Sequence, residues 1–189
     1  IQHYPVFERL EIATFQTVNA ISTAGYNSIP LSNLTLGVLL TIIFLMYVGA
    51  APSSTGGGMK ITTLTAVIAI VKSKVRNQAK VTYLGKKIPA DRLEMAVSTF
   101  IFYTAILFFS VFLLSFTENQ SLEKLLFEAT SAIGTVGLSM GITGSLSVWG
   151  KIILISIMFI GRVGVITFGL AILAKKQHKK IDNETDLAV

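Results

Sequence analysis

The stretch Phe15-Gln-Thr-Val-Asn-Ala-Ile-Ser-Thr-Ala-Gly25-Tyr-Asn27 returns without a gap as Phe127-Glu-Ala-Thr-Ser-Ala-Ile-Gly-Thr-Val-Gly137-Leu-Ser139, at a constant offset of 112 positions. The offset holds further on, where Leu45-Met-Tyr-Val-Gly49 falls on Ile157-Met-Phe-Ile-Gly161 and Thr55 and Gly57 fall on Thr167 and Gly169. Each copy joins a short helical run to a Thr-x-Gly tract and then to a long apolar segment. A repeat of this kind decides the fold, because it makes the two regions versions of one structural unit.

Composition places that unit in a membrane. The chain is 52% hydrophobic and only 14% charged, with a mean hydropathy of +0.68, too apolar for an ordinary soluble domain. There is no cysteine, which excludes disulfide and thiolate chemistry. The two histidines, His3 and His178, sit at the chain ends, so neither a zinc site nor imidazole catalysis is expected. A net charge of +6 would suit nucleic acid, but the basic residues cluster beside apolar segments, and a positive-inside topology accounts for them without a nucleic-acid partner.

From Glu94 to Phe116 the chain is long and apolar enough to cross a hydrocarbon core needing roughly 20 residues, with Asp91 after Pro89 as its expected N-cap. Thr117 to Ser121 ends that span. Leu122 to Ile133 then reads as a helix of about three turns, some 18 Å long at about 1.5 Å per residue, too short to cross. A short helix ending in Gly134-Thr-Val-Gly137 has the form of a re-entrant pore helix, since non-helical backbone at membrane depth survives only beside protein or a wet cavity. Trp149, an interfacial aromatic, opens a second span from Val148 to Ala174.

The first copy has its short helix at Glu8 to Ile21, its tract at Ser22 to Asn27 and its long helix from about Leu34. No opening helix precedes it, so the chain reads as part of a longer protein. Its apolar region, Leu34 to Val71, exceeds one straight crossing and is interrupted by Gly49-Ala-Ala-Pro52-Ser-Ser-Thr-Gly-Gly-Gly58. Proline and three glycines within a membrane segment predict a broken helix with irregular backbone at depth. The expected fold is all-α, built of repeated helix, pore loop, helix units related to potassium-channel pores. One unit covers residues 1–76, a basic linker 77–90, a second unit 91–175 and a tail 176–189.

Lys72, Lys74, Arg76, Lys80, Lys86, Lys87 and Arg92 form one basic segment, and Lys175, Lys176, Lys179 and Lys180 another. Both follow the second long helices, which puts both on the cytoplasmic side and sends the pore loops in from outside.

A dehydrated monovalent cation needs several oxygens to replace its water shell, and inward-facing carbonyls supply them without net charge. Thr135-Val-Gly137 matches the first three residues of the potassium-channel filter Thr-Val-Gly-Tyr-Gly. Glycine reaches the dihedrals that let successive carbonyls face one way, and short helices ending at the tracts offer their partly negative C-terminal ends to a cation. Both tracts lack a second glycine, carrying Tyr26-Asn27 and Leu138-Ser139 instead, which predicts looser discrimination against sodium. A plain helix C-cap is the competing reading of Gly25 and Gly137.

These features resemble the Trk/Ktr/HKT superfamily of cation transporters, whose membrane subunit sets four helix-pore-helix repeats around one pore. Over nearly its whole length the chain is similar to the C-terminal half, the third and fourth repeats, of a bacterial Ktr-type subunit. The resemblance implies a filter glycine at Gly25 and at Gly137, with carbonyls of Thr23, Ala24, Tyr26, Thr135, Val136 and Leu138 around the ion. It implies a gating loop in the broken helix at Pro52, Ser53, Ser54, Thr55, Gly56, Gly57, Gly58 and Lys60, and a pore arginine at Arg162. It further implies K+ as the transported ion, sodium as a modulating or alternative cation, and no cofactor in this chain. Its partners would be the N-terminal half of the subunit, a second copy in a homodimer, membrane lipid, and a cytosolic nucleotide-binding RCK-type ring that alone binds nucleotide. The basic linker would meet that ring or only lipid headgroups.

Arg162 also stands out by position. Near the middle of a helix from Val148 to Ala174 a charge costs on the order of 3 kcal/mol, and Ala174 is about 18 Å away at roughly 1.5 Å per residue, beyond snorkelling reach. Facing the ion path, or burial between helices, are its two readings. The glycine-rich loop has helix packing as its alternative, and Lys60 reads either as a cytoplasm-side anchor or as a charge that tunes the loop. Gln16 and Glu128, equivalent in the repeat, are expected to brace the filter by hydrogen bonding, with direct attraction of cations as the alternative, and Asn19 is expected to support it in the same way. Other classes fare worse. Gly137-Leu-Ser139-Met-Gly141 fits the Gly-x-Ser-x-Gly hydrolase elbow but lacks a base and a strand-turn-helix setting, and Gly56-Gly-Gly-Met-Lys60 lacks the Walker glycine before lysine. A two-repeat channel subunit that dimerises into one pore is the nearer rival, and a non-transporting membrane scaffold the more distant one.

Overall fold

The computed structural model describes residues 5–49, 51–52, 56–78, 81–83, 85–164 and 167. The described helices run in the order α1 (Val6–Ser22), α2 (Leu36–Tyr47), α3 (Ile61–Val75), α4 (Ala90–Thr117), α5 (Leu122–Ile133) and α6 (Val148–Val163), with 3-10 turns at Leu31–Asn33 and Thr143–Ser145. The mostly helical architecture agrees with the reading of the sequence. Between α3 and α4 the linker forms a small hairpin, β1 (Thr82–Tyr83) antiparallel to β2 (Lys86–Lys87), closed by Gly85 at φ 77°. The all-α expectation missed this ladder, because two-residue strands carry too little alternation to register in the pattern.

α4 is the one helix among the described residues that is long and apolar enough to cross a membrane, and α2 is a shorter apolar helix. Tyr103, Leu107, Ser110, Val111 and Leu114 line its buried stripe, at helical spacing, while Phe108, Phe109, Phe112 and Phe116 are exposed. Against that stripe pack Leu125, Ala129, Ala132 and Ile133 of α5 and Leu154 and Ile157 of α6. The other flank of α5 meets α2, where Phe127, Val136, Leu138 and Met140 share a cluster with Leu39, Ile42, Ile43 and Met46. α5 is thus held between two apolar clusters and is buried continuously from Phe127 through Gly134.

α1 is the repeat-mate of α5 and buries the same positions, Gln16, Asn19 and Ala20 against Glu128, Ser131 and Ala132, but is otherwise far less covered. Its buried residues are Gln16, Asn19 and Ala20, while Val6, Phe7, Leu10, Phe15 and Val18 are exposed. Phe127, the counterpart of exposed Phe15, is buried in the cluster with α2. Gln16 and Asn19 of α1 are buried and hydrogen-bond to its own tract region, and this is what positions the site.

Several boundaries differ from the sequence reading, and α1 runs Val6–Ser22 where that reading has Glu8 to Ile21. Pro89, not Asp91, occupies the N-cap of α4, and Asp91 lies in its first turn, because proline fixes φ at a value that already suits the helix entrance. α2 begins at Leu36, after a 3-10 turn. α6 is described from Val148 to Val163, after which Gly164 adopts φ 93° and donates its N–H to the Ile160 carbonyl at 3.0 Å; of the rest of the span expected to reach Ala174, only Thr167, helical, is described. Arg162 sits in the last turn of α6 as described and is exposed. The basic run at Lys175 to Lys180 lies outside the described residues.

Candidate functional site

α1 and α5 end on their Thr-x-Gly tracts with the same backbone construction. Ala24 donates to the Asn19 carbonyl at 3.2 Å, and Val136, 112 positions on, donates to the Ser131 carbonyl at 2.9 Å. Thr23 and Thr135 both take left-handed backbone, φ 58° and 53°, as do Gly25 and Gly137, φ 77° and 91°, with the residue between each pair at negative φ. Left-handed backbone is unusual for a β-branched residue, and its occurrence at both threonines means that the repeat preserves a special conformation as well as a sequence.

The tracts meet glycine to glycine. A Cβ on Gly25 would overlap the Val136 carbonyl oxygen and come within 3.2 Å of the Gly137 Cα, and one on Gly137 would lie 3.7 Å from the Gly25 Cα. The copies differ just beyond the contact. Tyr26 is exposed, whereas Leu138 is fully buried in the α2 cluster.

Each tract is braced from its own short helix. The Glu128 carboxylate, buried, accepts from Ser139 Oγ at 2.6 Å, from the Met140 N–H at 2.9 Å and from Thr143 Oγ1 at 2.9 Å. Charge-assisted bonds of this kind are the strong ones. At the equivalent position Gln16 Nε2 donates to Ser28 Oγ at 3.1 Å, and its buried Oε1 has no partner among the described residues. Ser28 and Met140 are themselves repeat-mates, so the two braces join matching points. Asn19 grips Tyr26 from both sides: Oδ1 accepts the Tyr26 N–H at 3.2 Å, and Nδ2 donates to the Tyr26 carbonyl. The hydroxyl of Ser139 is held by Glu128 and Thr143, and its setting is helix, coil and 3-10 turn, not the strand-turn-helix of a nucleophile elbow.

The interruption between α2 and α3 reaches this tract. Gly57 N–H donates to Thr135 Oγ1 at 2.9 Å, and a Cβ on Gly57 would overlap the Thr135 side chain and come within 2.9 Å of the Gly134 carbonyl oxygen. Met59, two residues on, is buried in the α4/α5/α6 core beside Tyr103, Leu107 and Ile133. Lys60 turns back to donate to the Gly56 carbonyl at 2.5 Å. Pro52 and Gly56 to Lys60 are described; Ser53, Ser54 and Thr55 lie outside the described residues.

Sequence reasoning missed three groups here. It assigned Thr135 a carbonyl role and not the side-chain acceptor that receives the glycine loop. It also passed over Met59, whose signal was available as the sole apolar residue among glycines and lysine. The third is Tyr47 at the end of α2, whose hydroxyl shares a 2.6 Å hydrogen bond with Thr104 Oγ1 and whose ring stands edge-on to Tyr103 at 5.2 Å.

The helical fold is that of a solved transporter: the potassium transporter TrkH from Vibrio parahaemolyticus matches with a TM-score of 0.75 and 22% identity over 91% of this chain and 38% of that one. The family model described as TrkH, cation transport protein, matches residues 1–183, and the chain belongs to that family, within the Trk/Ktr superfamily of membrane transporters. Among its relatives are the Ktr system potassium uptake protein B of Bacillus subtilis, 34% identical over 95% of this chain and 40% of the relative, and its namesake from Vibrio alginolyticus, 38% identical over 82% and 34%. The potassium/sodium uptake protein NtpJ of Enterococcus hirae is 35% identical over 89% and 38%. The chain spans about two fifths of the length of these relatives.

Proposed function

We propose that this chain forms two of four walls of a potassium pore, the third and fourth repeats of a potassium-uptake membrane subunit. The observation that carries the reading is the glycine-to-glycine meeting of two tracts with the same left-handed threonine and glycine backbone. Alternating the sign of φ turns successive carbonyls toward one side, and stacked carbonyls replace the hydration shell of a cation. In this reading Thr23, Ala24, Gly25 and Tyr26 face the ion from one wall and Thr135, Val136, Gly137 and Leu138 from the next. Gln16, Asn19 and Glu128 hold the walls in register.

The stretch from Pro52 to Lys60 is the gate. Its hydrogen bond to Thr135 supports a loop that lies against the tract when closed, and Lys60 stiffens the loop through Gly56. Arg162, in the last turn of α6, supplies positive charge on the basic side of the fold and slows cation entry. The Enterococcus relative is by name a potassium/sodium protein, which supports sodium as a second passenger or modulator. The remaining repeats, a second copy and a cytosolic nucleotide-binding ring complete the proposed assembly, with residues 72–92 and the C-terminal segment on the cytoplasmic side.

The test is rescue of potassium-uptake-deficient cells at low potassium by the full-length protein, comparing wild type with Gly137→Ser. A side chain at φ 91° strains the backbone at the point where the two tracts meet, so rescue is expected to fail, with membrane abundance unchanged. Equal rescue would remove the filter assignment.

A further inference from the structure

A cleft of about 710 Å3 opens where the first turns of α3 and α4 meet the β1–β2 hairpin. Its lining is mostly apolar surface, with Ala66 of α3 and Ala96 of α4 buried beneath it and threonines of both helices among it, and it carries two cations, Lys86 of the hairpin and Arg92 of α4. Neither cation forms an ion pair with any described residue. Pro52, at the entrance to the glycine-rich connection, closes one end.

The volume suits a drug-sized or larger ligand. The pattern, two unpaired cations on a mostly apolar lining, suits an amphiphile with an anionic head. Apolar surface also continues out of the cleft along both helices: Ile68, Val71 and Val75 of α3 and Met95, Ile101 and Phe102 of α4 are exposed. A soluble anion would use the cations and leave this surface bare, whereas a lipid uses both. We propose that the cleft is a binding site for an anionic phospholipid, its phosphate between Lys86 and Arg92 and an acyl chain along the α3/α4 seam. Bound there, the lipid abuts Pro52 and so touches the segment that leads to Thr135. This assignment rests on the membrane setting of the family and not on which ion the protein carries.

The experiment uses the full-length protein in detergent, with retention of phosphatidylglycerol against phosphatidylcholine read by native mass spectrometry. Each basic group near an anionic lipid is worth about 1 kcal/mol, so Lys86→Ala with Arg92→Ala is expected to weaken phosphatidylglycerol retention by roughly thirtyfold. Lys74→Ala with Arg76→Ala, exposed cations outside the cleft, is expected to leave it intact. Thr62→Trp, which fills the apolar side with the charges kept, is expected to reduce it as well. Equal retention in wild type and the Lys86/Arg92 variant overturns the proposal, as does equal loss in the Lys74/Arg76 control, which would mean diffuse attraction. Displacement of the lipid by millimolar inorganic phosphate alone would overturn the acyl-chain part and leave a simple anion site. Loss of binding to a soluble regulatory subunit, with lipid retention unchanged, would assign the cleft to protein instead.

Discussion

Gly57→Ala isolates the contact between the glycine-rich connection and the second tract. Gly57 is at negative φ, so alanine is tolerated by the backbone and the perturbation is purely one of space. The added Cβ would overlap Thr135 Oγ1, sit 2.7 Å from Thr135 Cγ2 and 2.9 Å from the Gly134 carbonyl oxygen. Overpacking of this kind costs about 1–3 kcal/mol, and loss of the Gly57 N–H to Thr135 bond adds roughly 1 kcal/mol. A shift of about 2 kcal/mol changes the ratio of docked to undocked loop roughly thirtyfold. If the docked loop obstructs permeation, rubidium influx into proteoliposomes carrying the full-length protein rises several-fold in Gly57→Ala. Thr135→Ser removes Cγ2 and keeps an acceptor oxygen, so the double variant recovers part of the docking, with a coupling of about 1 kcal/mol in the flux cycle. Unchanged influx in Gly57→Ala, or strictly additive effects of the two substitutions, would refute a gate docked on Thr135.

Other consequences follow from the braces and the anchor. Glu128→Ala removes the acceptor of three hydrogen bonds behind the second tract and leaves the Met140 N–H without its partner, whereas Gln16→Ala removes one hydrogen bond; thermal unfolding of the full-length protein is expected to show the larger loss for Glu128→Ala, by about 2 kcal/mol or more. Asn19→Asp replaces the amide that donates to the Tyr26 carbonyl with an acceptor, so rubidium uptake falls, while Thr17→Asp on the exposed face of the same helix leaves it near wild type. Met59→Ala empties a buried site beside Tyr103 and Ile133 at a cost of about 2–5 kcal/mol; a freer loop then raises basal influx, and a drop in thermal stability without any change in influx would confine Met59 to packing.

The repeat made the helix order and both tracts legible in the sequence, because a short helix closed by Thr-x-Gly has a stop signal that survives in both copies. α5 falls at Leu122–Ile133 in the sequence reading and in the structure alike, since apolar residues on one side and the Gly134 break on the other fix both of its ends. What the sequence could not convey is which parts of different copies touch. The meeting of Gly57 with Thr135 joins residues 78 apart, and nothing in either local pattern requires it. The left-handed backbone at Gly164, φ 93°, is equally absent from the local pattern, because a glycine's residue type is compatible with helix and turn alike.

The two copies also show how a repeat can diverge without losing its backbone. The tract geometry, the Asn19/Ser131 acceptor positions and the brace points at Ser28 and Met140 are shared, while the side chains that serve them differ in charge: Gln16 is neutral and half-satisfied, Glu128 is ionisable and accepts three bonds. A carboxylate behind one wall and an amide behind the other give the pair unequal stiffness, because bonds to a charged acceptor are roughly twice as strong as neutral ones. The stiffer wall is also the one that receives Gly57. In the proposed pore, a loop that docks on a rigid tract would transmit its position to the opening and leave the spacing of the carbonyls alone, whereas docking on the softer Gln16 wall would deform the tract itself. On this argument gating and selectivity are separable: Gly57→Ala changes the rate of rubidium entry and leaves the rubidium to sodium ratio unchanged, while Glu128→Gln changes the ratio.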